Sequence, residues 1–347
     1  PLATKALVLY GREKGPNLPD DLANTAPGKT WVATSLNSYY EAFPWLAATG
    51  ARPFDAKGRP ALNSPEHERG LRQLKALVDA STISRGLDAA SARAAFIRHE
   101  IPFLLDGPWA LAELTTHIDH LKVLPLPRVN NEQLRAFATV EAVFVSAHTK
   151  QPDRARGAAA LLASDASASQ RAQRGGQLVP NQDLWHELRS KKPQVAALAL
   201  AQNNSIPLPT TPAMRALWGP AKDALTGVLR QGRDAREALD ESASRLAHLL
   251  APLPAKAHAT PWIAAFALLL FVLVWVVWRR WQDHVAPTGL PSAGVLSVFI
   301  GPGIAALILL VATPILTGVA MSFFAHGSGQ WHLVGLANYG AILRADG

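Results

Sequence analysis

The chain has 347 residues, more than one small domain needs, and its formal charge of +8 is spread through Ala-rich stretches rather than gathered into a basic run interleaved with aromatics. That distribution argues against a nucleic-acid partner. No cysteine is present, which excludes disulfide frameworks, thiolate zinc sites and cysteine nucleophiles.

From Pro1 to about Leu250 short apolar runs alternate with amphipathic stretches, the rhythm of an α/β domain with helices packed on a sheet. Ser64 and Pro65 open a helix whose Leu71, Leu74, Leu77 and Val78 share one face, with Ser64 as N-cap and Pro65 at the first helical position. Ser91 to His99 reads as a short helix, Ile101 to Leu105 as a buried strand, and Pro108 to about Ile118 as a helix entered through Asp106 and Gly107. This order places Trp109 beside the carboxyl end of a strand, where open α/β sheets bind ligands.

Residues 251–260 carry prolines without apolar periodicity and read as a linker. Residues 261–278 are free of charge and at helical rise span about 27 Å, close to the hydrocarbon thickness of a bilayer. Trp262 stands at one end of this span, Trp275, Trp278 and Trp281 at the other, and Arg279 and Arg280 follow as the cytoplasmic positive charge. A second transmembrane helix is expected over 295–323, interrupted by Gly301, Pro302, Gly303 and Pro314 but by no charge. The turn 279–294 is then cytoplasmic and too short for a signalling domain, while 324–347 returns to the outer side.

Motifs for catalysis are missing. Gly28-Lys29-Thr30 ends like a phosphate-binding loop, yet Ala23 stands where that loop needs its first glycine. The histidines show no His-Glu-x-x-His spacing, and no Gly-x-Ser-x-Gly elbow is found. The chain is therefore expected to be no enzyme and to carry no cofactor or metal. The tryptophans are a sharper signal, because a sugar ring presents C–H groups on its faces and hydroxyls around its rim. Trp109, after a Gly-Pro pair, and Trp218, before another, suit either core packing or a sugar platform.

The stretch Tyr39-Tyr40-Glu41-Ala42-Phe43-Pro44-Trp45-Leu46-Ala47-Ala48-Thr49-Gly50, then Ala94-Ala95-Phe96, then Asp106-Gly107-Pro108-Trp109, resembles the maltose-binding-protein family of extracytoplasmic solute-binding proteins (family 1) in order and separation. The resemblance continues through 152–162, 175–183, Trp218 and the amphipathic stretch 235–249. It implies a two-lobe α/β domain over 1–250, with the C-terminal lobe built from 6–135 and 211–250 and a partial N-terminal lobe from 136–210. By motif position it implies sugar contacts at Tyr40, Trp109 and Trp218, with Lys222 where the family usually has arginine. Lys5 and Ser38 stand where maltodextrin binders usually carry acids, Gly219 where an aromatic is common, and His99 where a helix-ending glycine is frequent. Pro220 is expected to kink or delay the helix after Trp218.

From Val295 the chain resembles the start of maltodextrin-type permeases, carried by Met321-Ser322-Phe323-Phe324 and Val334-Gly335-Leu336-Ala337-Asn338-Tyr339. Together the two resemblances imply a binding protein fused to a permease, a fragment lacking both ends. The implied function is carbohydrate recognition and import by an ABC transporter, in a multi-pass protein of a bacterial inner membrane whose binding domain lies in the periplasm or outside the cell. Its implied partners are a carbohydrate, the lipid bilayer, a second permease subunit and cytoplasmic ATPase subunits. A membrane-anchored sensor with a degenerate sugar site is the alternative.

Overall fold

The computed structural model describes residues 3–175, 177–179, 183, 186, 193–202, 204–258, 260, 264, 268, 271, 272, 275, 276, 279, 298, 300–303, 306–327 and 330–344. The chain divides into two units, Pro1–Leu250 and Ala251–Gly347.

The first unit is organised by a mixed sheet in the order β3–β4–β2–β5, formed by β2 (Val8–Arg12), β3 (Val32–Ala33), β4 (Phe103–Asp106) and β5 (Leu121–Leu124). The central β4 runs parallel to β3 and antiparallel to β2, and every one of its residues is buried. Such continuous burial follows from helices on both faces, and alternate side chains divide between two cores. Leu7, Leu9, Phe103 and Leu105 join one core, which includes residues of α1 (Tyr39–Ala47), α2 (Pro65–Asp79), α8 (Pro212–Leu229) and α9 (Ala235–Leu250). Val8, Tyr10 and Leu104 join the other, with residues of α3 (Ala89–Ile97) and α4 (Leu111–His117). Helix α7 (Pro193–Gln202) packs on β5 and contributes Leu198 to this second core, although the sequence division assigns it to the other lobe. The remaining elements of this unit are the β6–β7 ribbon (Arg128–Val129 with Glu132–Gln133), α5 (Pro152–Ala163) and α6 (Asp165–Gly175).

A smaller sheet gathers β1 (Ala3–Lys5), β8 (Phe137–Glu141) and β9 (Ile206–Pro207), with Lys5 opposite Thr139 and Phe137 opposite Ile206. These strands lie close to the three points, near residues 5, 136 and 210, where the sequence division changes lobe.

Local chemistry explains the helix limits. The hydroxyl of Ser64 accepts from the His67 N–H, Pro65 takes the first helical position, and α2 buries Leu71, Leu74, Leu77 and Val78 as the spacing predicts. Helix α3 starts two residues before the expected Ser91, because the Asp88 carboxylate accepts from the Ser91 N–H. Just beyond its end His99 has φ +64°, the left-handed conformation that favours glycine. Pro220 neither stops nor delays α8, which runs from Pro212 to Leu229. Burial of Pro220 itself and of Met214, Leu217, Ala221, Ala224, Leu225 and Val228 offsets the lost backbone hydrogen bond.

In the second unit β10 (Phe324–Gly327) and β11 (Gln330–Leu333) form an antiparallel hairpin between α10 (Thr313–Met321) and α11 (Ala337–Arg344). The Asn338 amide donates to the carbonyls of Ser322 (2.8 Å) and Phe324 (3.0 Å), which ties α11 to the end of α10. Among the described residues no helix is long and apolar enough to cross a membrane. The expected span 261–278 and the turn 279–294 lie, apart from scattered positions, outside the described residues. Within the expected second span, Ile308–Ala312 form a π-helical turn before α10. Pro314 accounts for the irregularity, since its ring clashes with the carbonyl one turn earlier.

Candidate functional site

Trp109 is positioned by a locked turn at the end of β4. One Asp106 carboxylate oxygen accepts from the Gly107 N–H (2.6 Å) and the other from Arg93 Nε (2.7 Å), while the buried Tyr10 hydroxyl donates to the Gly107 carbonyl (2.9 Å). Arg93 also reaches Glu113 (3.2 Å). Burial, reinforced by the Asp106 charge and opposed by Arg93, raises the Tyr10 phenol well above its ordinary pKa, so Tyr10 remains a neutral donor. The indole of Trp109 lies on Gly107, where an added Cβ would stand 2.2 Å from the ring. One side of the ring is thus held by backbone while Trp109 stays 43 % exposed, which leaves an aromatic surface available.

Tyr40 comes from the first turn of α1. Ser38 caps that helix by accepting from the Glu41 N–H (3.3 Å), and its own hydroxyl donates to the Glu41 carboxylate (2.9 Å). The Tyr40 ring lies 6.4 Å from Trp109 and 6.2 Å from Phe137, centroid to centroid. Burial pushes its phenol up to about 12, partly offset by the Thr139 hydroxyl beside it.

Trp218, half-buried on α8, presents its edge to Phe137 (6.4 Å) and to Tyr39 (6.1 Å). Phe137 is fully buried and also stacks on Phe43. Three aromatics from separate segments, Tyr40, Trp109 and Trp218, are therefore linked into one group, with Phe137 between Tyr40 and Trp218. Lys222 stands one turn beyond Trp218 at an exposed position. Phe137 carries no sequence signal beyond its apolar character, and the pairing of β1 with β8 is what brings it to the group.

The polar surroundings differ from the simple absence of acids at Lys5 and Ser38. Lys5 on β1 pairs with Glu141 on β8, and Ser38 binds Glu41. Glu41 also lines a small depression with Thr34, Ser35, Asp106 and Trp109. The departures at positions 5 and 38 are thus each accompanied by a carboxylate from a neighbour. Among the described residues no group of three or more histidines and carboxylates is placed to hold a metal ion.

No protein-family model matches the chain. Over 142 residues, 40% of this chain, it is 26% identical to a galactooligosaccharide-binding protein of Bacillus subtilis (strain 168), and it spans about a third (34%) of the length of that relative. A cyclo/maltodextrin-binding protein complexed with maltotetraose superposes with a TM-score of 0.62 at 23% identity, covering 73% of this chain and 70% of the other. The Thermus thermophilus maltotriose binding protein bound with maltotriose gives 0.62 at 21%, covering 72% and 71%. This chain has the α/β fold of those binding proteins. A permease is not among these three relatives.

Proposed function

We propose that residues 1–250 recognise a carbohydrate, with Tyr40, Trp109 and Trp218 as the ring contacts and Lys222 as a rim donor. The observation that carries this reading is the convergence of three aromatics from separate segments, one of them backed by Gly107 and open on the other side. Such a group suits the C–H faces of a sugar, and the carboxylates and hydroxyls beside it suit the hydroxyl rim. The relatives' names point to oligosaccharides. Calorimetric titration with maltotriose and with a galactotriose tests it. Trp109→Ala should weaken the bound sugar by about 30-fold, the loss of a central aromatic anchor. Unchanged affinity in Trp109→Ala and Trp218→Ala would reduce both tryptophans to packing residues.

The two-lobe division is part of the proposal. It is supported by apolar side chains that stand open in 136–210, namely Val140, Phe144, Leu161 and Leu162, for which the rest of a second lobe is a natural cover. We further propose delivery to a membrane import system, with the second unit as the beginning of its permease, a second permease subunit and ATPases as partners, and the binding domain outside the cytoplasm. The charge-free run 261–278 followed by Arg279 and Arg280 supports this orientation, as do the open apolar side chains Leu310, Ile315, Leu316 and Val319. Alkaline extraction of membranes carrying the chain is the test, and release into the soluble fraction would remove the membrane part of the reading.

A further inference from the structure

Among the described residues one carboxylate beside the aromatic group has no cationic partner. Asp106 is occupied by Arg93 and the Gly107 N–H, Glu113 by Arg93, and Glu141 by Lys5. Glu41 differs: it accepts from the Ser38 hydroxyl at 2.9 Å, and among the described residues no basic side chain pairs with it. An ionised carboxylate has two oxygens and about four acceptor positions, so one hydrogen bond leaves most of its capacity open. Its place is defined as well, because the backbone of α1 sets it in the first turn, in the depression that Trp109 lines.

We propose that Glu41 is the hydroxyl acceptor of the site and that it makes the site select neutral oligosaccharides over acidic ones. The proposal rests on the carbohydrate reading. A neutral sugar lying on Trp109 turns its hydroxyls outward, and those that face Glu41 can donate to it in charge-assisted hydrogen bonds. A uronate in the same pose sets its own carboxylate against Glu41, which among the described residues has no cationic partner to compensate. Lys222 stands on a different helix, α8, and among the described residues is not paired with Glu41.

The test uses the full chain, maltotriose and a galactotriose as neutral probes, and a trigalacturonate of equal length as the acidic probe. The wild type should bind a neutral probe at least tenfold more tightly than the acidic one. E41Q, nearly isosteric and still able to accept from Ser38, should lose about tenfold for the neutral sugar while the neutral-to-acidic ratio falls toward one. S38A removes the cap bond but keeps the charge, so it should lower the unfolding midpoint and preserve the ratio. Wild type that binds none of the probes overturns both the carbohydrate reading and this one. Wild type that binds a neutral sugar, with E41Q within twofold and the ratio unchanged, overturns only the role of Glu41 and leaves it the partner of the Ser38 cap. A wild-type preference for the acidic probe, or an S38A ratio that falls as E41Q's does, also overturns it.

Discussion

Helices α9 and α5 are both rich in alanine, leucine and arginine, yet they sit differently in the first unit. Helix α9 buries Ala235, Ala238, Leu239, Ser242 and Leu246, and it packs on α8. Helix α5 buries none of its residues, and Leu161 is 67% exposed. Propensity does not separate them, since both use good helix formers. Pattern does: the buried residues of α9 recur three or four apart and form one stripe, whereas Ala158 to Leu162 run consecutively and wrap around α5. Helical composition is thus compatible with either outcome, and the energetic weight of a helix lies in the partner surface it meets.

The sharpest way to break that contrast is to truncate one leucine on each helix. Leu246→Ala removes a side chain with no exposure and should cost about 2–5 kcal/mol, read from urea unfolding of the chain. A cost below 1 kcal/mol would mean that α9 is no better anchored than α5.

Acid probes the packed body in a second way. His67 is fully buried, with Nε2 2.8 Å from the Tyr39 hydroxyl and Nδ1 3.1 Å from the Ser64 hydroxyl. Burial lowers its pKa from 6.5 to about 4, against a smaller opposing pull from Glu66. Between those values the unfolded chain binds a proton that the folded chain refuses. The associated stability is therefore complete above pH 6.5 and is lost as pH falls to about 4, by about 3 kcal/mol in all. His67→Gln should flatten stability against pH in this window, and an unchanged slope would show that His67 is not its source.

Close backbone approach gives a third, smaller effect. A Cβ on Gly70 of α2 would come within 2.8 Å of the Leu46 Cα of α1, so Gly70→Ala should cost about 1–3 kcal/mol despite its better helix propensity. Gly157 on α5 has nothing within 4 Å of such a Cβ, and Gly157→Ala should instead be neutral or mildly stabilising. Equal responses at the two glycines would erase the distinction between a packed helix such as α2 and the open α5.

His99 sharpens the comparison with the opposite sign. With φ at +64°, His99→Gly should stabilise the body by about 1 kcal/mol, seen as a higher thermal midpoint. The smallest change is expected at Leu161→Ala, within about 0.5 kcal/mol of the parent, as for an exposed surface site.

Much of the fold was legible in local signals. Ser64 and Pro65 start α2 where the sequence places them, and the strand, turn and helix around Asp106–Gly107 appear in the expected order. These features depend on caps, proline geometry and apolar period, all short-range in the chain. Motif resemblance also singled out Tyr40, Trp109 and Trp218, which the structure joins into one group. Four matters were beyond local reading: the hub at Phe137, the carboxylate of Glu41 beside Trp109, the packing of α7 on β5, and the passage of α8 through Pro220. Phe137 meets Tyr40 and Trp218 across three distant segments, and only strand pairing in the smaller sheet sets that register. Pro220 lacks a donor in any context, but whether a helix tolerates the loss depends on how much apolar surface its neighbours bury. The sequence by itself determined where elements begin and which faces are apolar, because those are properties of neighbouring residues; the tertiary structure decided which faces meet, because burial energy depends on partners far away in the chain.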